Sequence, residues 1–310
     1  MNMRVAWAAL AIAFFLALPA FAAEPPASFK GLRWMDLTPT ETDRMLVRAR
    51  QLPMAERIPF LSALFVGTPY ALDPLGEGPE GEFDRDPPFR LDRADCLTML
   101  EQLLAMLRSA TLDDAKRLTL AVRYDGKRLD WRYRRHLTWM EWLPALMREG
   151  WIEDVTRSVG GEATIRQEKT IAGPSACGKD WRAFCERLGD RLPKGPVAHD
   201  ILPLAWVTRH WRELPANTLM FIVHNDRLYL PYRIRHAGLL VRDAKGSLHL
   251  RHASKVHKRV VDVPLERYVE MLATKNVKWP VTGLILARPI EPSPPPPVSP
   301  HEGEHAPAAP

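Results

Sequence analysis

Apolar positions recur three and four residues apart through the first half of the chain, then alternate or run together in the last third. The change of period marks a change of structure. Between residues 96 and 107 the apolar side chains fall at 96, 99, 100, 103, 104 and 107, one stripe of a core-facing helix. Two helices precede it. "TETD" at 40–43 is a Thr-x-x-Asp start signal leading into "RMLVRARQL", and "AERIPFLSALF" ends at Gly67. "TWME" opens a later helix, capped at Thr138, that stops near Gly150, and the loosely alternating residues 151–172 suit a hairpin. The last third reads as sheet: "TLMFIVH", "LYLPYRIRHAGLLVR", "SLHLRHAS" and "KRVVDVPL", with "ND" and "DAKG" as turns. A short helix, "LERYVEML", and a strand, "VTGLILARPI", close the domain. Helices first and sheet second is an α+β pattern.

The ends differ from the middle. Met1 to Arg4 give a positive start, "VAWAALAIAFFLAL" an apolar core, and Ala20 and Ala22 the A-x-A spacing of a cleavage site. Residues 1–22 therefore read as a signal peptide; an uncleaved membrane anchor is the alternative. No cysteine follows the cleavage site, which excludes a lipoprotein anchor. Residues 23–39 form an extended lead-in, 40–290 the domain, and 291–310 a disordered Pro-rich tail. The expected location is periplasmic or secreted, with no transmembrane span after cleavage.

Composition adds little to this picture. The 310 residues, 46% hydrophobic and 26% charged, suit one globular domain with a core that needs no staples. A net charge of +6 without a long Lys/Arg run implies mild attraction to polyanions such as cell wall or lipid surfaces. It is not a nucleic-acid footprint.

Three cysteines in an exported chain invite pairing. Cys177 and Cys185 lie eight apart and can join in an oxidising compartment, which leaves Cys96 unpaired. Cys96 follows Asp95 at the first turn of its helix. A buried structural cysteine fits there, and so does a nucleophile whose thiolate is favoured by the helix dipole. A nucleophile needs a base, and the base an orienting partner. His236 and His252 occupy neighbouring strands joined by "DAKG" and can face one side of an antiparallel pair. His249, three residues from His252, points to the opposite face, so one of the two serves.

This arrangement resembles the NlpC-type cell-wall cysteine peptidases, a minimal papain-like fold, and within them the N-acetylmuramoyl-L-alanine amidase-like branch. "GTPY" (67–70) resembles the opening motif, "DC" (95–96) the nucleophile site, "RHAG" (235–238) the H-x-G of the base-bearing strand. "HAS" (252–254) resembles the third catalytic motif, and "RYRRHLTWMEW" (132–142) an Arg-His-aromatic segment of that branch. The match spans roughly residues 40–275. It departs at "PANT" (215–218), where a Gly-Asp turn is usual, at the inserted "NDRLYLPYRIR" before His236, and at "LTML" after Cys96.

The resemblance implies Cys96 as nucleophile, His236 as base and His252 as its orienting residue. It places the Tyr70 hydroxyl by the sulfur or oxyanion, Asp95 in the loop before the helix, and Arg135 and His136 on substrate. It implies no cofactor; the H-E-x-x-H string of the chain, residues 301–305, lies in the Pro-rich tail, and no paired-cysteine metal spacing is present. The implied partner is peptidoglycan or its muropeptide fragments. The bond cut is the MurNAc–L-Ala amide or a stem-peptide bond. A non-catalytic wall-binding scaffold and a thioester-forming acyltransferase are the competing readings. Two segments are expected to flank the site: an acidic loop with six acids between Asp73 and Asp86, facing a substrate amine, and the basic, aromatic stretch 123–142, lining one wall.

Overall fold

The computed structural model describes residues 31–126, 128–275 and 278–291. The expected signal peptide and the tail from residue 292 onward lie outside the described residues. The helices are α1 (Pro39–Arg50), α2 (Met54–Ala63), α3 (Cys96–Leu107), α4 (Leu112–Arg123), α5 (Leu143–Arg148), α6 (Thr156–Gly160), α7 (Lys179–Leu188), α8 (Leu204–His210) and α9 (Leu265–Lys275). The strands are β1 (Ile152–Asp154), β2 (Ile165–Ile171), β3 (Gly195–Pro203), β4 (Thr218–His224), β5 (Ile234–Arg242), β6 (Leu248–Ser254), β7 (Arg259–Pro264) and β8 (Val281–Pro289). No described helix is long and apolar enough to cross a membrane.

One antiparallel sheet runs in the order β2-β3-β8-β4-β5-β6-β7, with β1 added to β8. The α+β expectation holds at this level. The hairpin expected over 151–172 does not form: β1 pairs with β8, and β2 with β3. Alternation shows that a strand is half-buried but does not name its partner.

All seven residues of β4 are buried, as a central strand covered on both faces must be. Leu219, Phe221 and Val223 face a core built from Leu100, Leu103, Leu104 and Trp142, while Met220 and Ile222 face Val207, Leu265, Val269 and Leu272. The first face therefore carries α3 and the second α8 and α9.

Local chemistry sets the helix starts. Thr38, not Thr40, caps α1: its Oγ1 accepts from the Glu41 N–H at 3.3 Å, and the Glu41 carboxylate accepts the Thr38 N–H at 2.8 Å. The lead-in is not wholly extended. Trp34 lies in a short 3-10 turn, buried in the core, and its indole N–H donates to the Leu61 carbonyl at 3.2 Å. Thr138 caps nothing; residues Thr138–Trp142 form a π-helical turn, and the Glu141 carboxylate accepts the Leu137 N–H at 3.0 Å. Cys177 and Cys185 are joined in a disulfide, and Cys96 is the free cysteine.

Candidate active site

Cys96 is the first residue of α3, and Asp95 is its N-cap. One Asp95 carboxylate oxygen accepts the N–H groups of Leu97 and Thr98 at 3.1 and 2.8 Å, and the Thr98 hydroxyl returns a bond from the Asp95 N–H at 2.9 Å. Such a cap contributes about 0.5–2 kcal/mol to the helix start. The other carboxylate oxygen accepts the Asp73 N–H at 3.0 Å, and so ties the cap to the acidic loop. Asp73 in turn sits under two guanidiniums, Arg123 at 3.1 Å and Arg134. Arg123 also holds the buried Glu101 of α3 at 2.6 Å. The acidic loop is thus bound down by its carboxylates: Asp73 and Asp84 on arginines, Glu77 on the N–H groups of Phe83, Asp84 and Trp131. Asp73, Glu77 and Asp84, three of the six acids of the loop, are engaged within the fold.

The cysteine sulfur lies where the N-terminus of α3 meets β5. The N–H groups of Cys96, Leu97 and Ala237 face it. Ala237 is the residue after His236, so the sulfur lies one residue along β5 from the position that carries the imidazole. His236 Nε2 and His252 Nδ1 are 2.6 Å apart, with their rings nearly perpendicular at 85°. The pairing Leu239↔Arg251 explains why: continued by one residue it sets Gly238 opposite His252, so His236, two positions along β5, is the diagonal neighbour of His252 on the same face. His249 instead pairs beside Val241, and its Nδ1 faces the Ser247 carbonyl at 3.2 Å. The structure brings His252, not His249, to His236.

Gly238 makes this approach possible. A Cβ there would lie 2.7 Å from Leu250, 2.9 Å from the Arg251 carbonyl and 3.0 Å from His252 Cβ. Gly238→Ala should therefore push β6 from β5 and part the histidines. We expect about 1–3 kcal/mol of lost stability, as for overpacked cores, together with a larger loss of turnover. Thermal melts run beside product assays check both; an alanine variant with unchanged melting and turnover contradicts the packing argument.

Two tyrosines complete the site. Tyr70 is held by its N–H on the Lys258 carbonyl at 2.9 Å, and its hydroxyl is pushed up by burial, then by Asp95 and Cys96. Tyr268 of α9 has no counterpart in the sequence reading. It is buried, its ring centroid 5.4 Å from His252 and 6.3 Å from His236, and burial and Cys96 raise its hydroxyl. A cleft of about 710 Å³ opens beside it, between β7, the β6–β7 turn and α9, with His236, His252 and Tyr268 in its wall.

Neither Cys96 nor residues 123–142 line this cleft. Arg135 is buried, its guanidinium on the Ala121 and Val122 carbonyls and Glu149. His136 Nε2 meets the Trp131 carbonyl at 2.7 Å, with its ring against Trp131 and Phe184. Both side chains are engaged within the fold, Arg135 by an ion pair and His136 by a carbonyl and two rings.

Burial holds the reacting groups neutral. It pushes the Cys96 thiol up to about 12, helped by the Asp95 carboxylate and opposed by the three N–H groups. It lowers His236 to about 3, with His252 adding to the effect, and His252 to about 4, with His257 adding. Burial thus favours thiol and imidazole, against the helix dipole and the N–H groups that favour a thiolate. Alkylation of Cys96 by iodoacetamide should accordingly stay slow at neutral pH and climb through the alkaline range. A fast, pH-independent reaction between pH 5 and 8 would show a thiolate and contradict this.

The tautomer follows from the same geometry. To accept a proton at Nδ1, His236 must donate its Nε2–H to His252 Nδ1, which puts the His252 proton on Nε2. That Nε2 is buried with no hydrogen-bond partner among the described residues.

A family model for N-acetylmuramoyl-L-alanine amidase-like proteins matches residues 60–275. No curated protein matches the chain significantly. Among solved structures, a Legionella pneumophila protein of family DUF1460 is similar at 21% identity, with 82% of this chain and 94% of that one covered and a TM-score of 0.70. An N-acetylmuramoyl-L-alanine amidase from Bacteroides uniformis is similar at 20% identity, covering 81% and 100%, with a TM-score of 0.53. A candidate xylanase from Bacteroides fragilis gives 23% identity, 73% and 98% coverage, and 0.54. At these identities the structural likeness shows the fold alone.

Proposed function

The chain belongs to the N-acetylmuramoyl-L-alanine amidase-like family, and on that premise we propose that it is a cysteine-dependent peptidoglycan amidase. The observation that carries the mechanism is the 2.6 Å contact between His236 Nε2 and His252 Nδ1, on the residue next to the N–H that faces the Cys96 sulfur. We read the order of helix-start cysteine, strand histidine and polar partner on the next strand as a minimal papain-like site. Its place of action is the cell wall, in the periplasm or outside the cell.

The chemistry runs as follows. His236 Nδ1 takes the thiol proton as the sulfur attacks the amide carbonyl carbon, so the buried pair becomes charged only when the charge is used. The oxyanion forms beside the first-turn N–H of Cys96, with the Tyr70 hydroxyl as a second donor. Collapse breaks the C–N bond, and His236 gives its proton to the departing amine. A thioester on Cys96 remains. Water attacks it, His236 takes the water proton, and the thiol is regenerated as the acid leaves. His252 holds the imidazole ring and its tautomer throughout.

Purified muropeptides incubated with the protein test this reading. Mass analysis should find the substrate split into a new amine and a new carboxylic acid, with one water gained. Binding without any cleavage would favour the scaffold reading, and an acylated amine product the transferase.

A further inference from the structure

The cleft beside the histidine pair carries charge that bond cleavage itself does not use. Three exposed cations line it: Lys255 in the β6–β7 turn, and Arg267 and Lys275 on α9. None has an ion-pair or hydrogen-bond partner among the described residues. Of the two acids in the lining, Asp262 is neutralised by Arg251 at 2.7 Å, which leaves Glu270. His257 is turned to the Ser254 hydroxyl at 2.9 Å. Unpaired cations in a concave site raise the local concentration of anions and select for them.

Their spacing is informative. Arg267 adjoins Tyr268, at the reacting end, and Lys255 follows His252 by three residues. Lys275 lies seven residues beyond Tyr268, about 10 Å along the helix axis. An extended peptide covers that distance in about three residues. Glu270, between the two cations of α9, suits an ammonium.

We propose that this cleft is the subsite for the peptide portion of the substrate and selects an anionic peptide. One carboxylate near the reacting amide meets Arg267 and Lys255; a second, about three residues on, meets Lys275. The glycan then lies on the other side of Cys96. This assignment rests on the reading of the protein as a peptidoglycan amidase, and it supplies what the reaction chemistry leaves open: which half of the substrate the α9 side holds.

Binding tests it separately from catalysis. Full-length Cys96→Ala protein is titrated calorimetrically with two muropeptides that differ only in whether the first stem-peptide carboxylate is free or amidated. The free acid should bind at least about tenfold more tightly at low salt, and the ratio should shrink as salt screens the contact. Adding Arg267→Gln and Lys255→Gln should bring the ratio near one. Lys245→Gln, which removes one positive charge at the β5–β6 turn, away from the cleft, should leave it unchanged. Equal affinities, no binding of either ligand, or a ratio indifferent to Arg267 and Lys255 overturns the subsite. A preserved ratio in a protein whose wild type cleaves neither muropeptide would uphold the subsite while removing the amidase reading.

Discussion

Cys96→Ala protein should release no product from muropeptides at any enzyme concentration that wild type needs for complete digestion. In the proposed mechanism every bond-making step passes through the sulfur, and Tyr70 and Tyr268 offer no replacement, since burial raises both hydroxyls. The fold should survive. The side chain is half-buried at a helix start whose capping bonds come from Asp95 and Thr98, not from the thiol. Matching circular dichroism and melting with no cleavage is the expected result. Residual cleavage near the wild-type rate would remove Cys96 from the mechanism and return it to the role of a small residue packing a helix.

His236→Ala should cost the ~10²–10⁴-fold typical of general acid–base assistance, read as kcat/KM for a defined muropeptide. The loss has a pH signature. The base must be neutral, and His236 stays neutral down to about pH 3 because burial and His252 depress it. Wild-type activity should therefore hold flat through the range where a free imidazole titrates and fall only under strongly acidic conditions. Stability moves differently: below about pH 6.5 the unfolded chain binds protons that folded His236 and His252 refuse, so stability declines as pH falls toward their folded values. His252→Ala should cost less than His236→Ala, because His252 orients the ring without touching the reacting bond. His252→Asn, whose Oδ1 can accept the same Nε2–H, should restore part of the loss. An acid limb near pH 6.5, or no recovery with Asn, would contradict the proposed tautomer.

The parts of this site that were legible in sequence are those set by local rules. Asp-Cys before a helical stripe places a capped sulfur at a helix N-terminus, and two β runs joined by a tight turn place His236 and His252 within a diagonal of each other. The H-x-G spacing had a physical meaning as well, since only glycine at 238 admits the next strand. Tyr268 was not legible because its position depends on α9 packing over the second face of the sheet, a tertiary fact. Strand β3 begins Gly-Pro, which hides it from β-propensity, and α4 sits between louder signals. Arg135 and His136 show the limit of reading a basic, aromatic stretch as a surface. The neglected sign was Glu101, an acid inside an apolar helix; buried at 1% exposure, it requires a buried cation, and Arg123 supplies it. That pair anchors the first residue of the stretch, Arg123, to the Cys96 helix.

Intact-protein mass spectrometry during a single turnover tests the central claim most directly. With enzyme in excess over muropeptide and quenching in acid, wild type should carry one acyl group mapping to the Cys96 peptide, and the adduct should disappear as free acid accumulates. Product formed with no adduct at any quench time, and formed equally by Cys96→Ala, would contradict it.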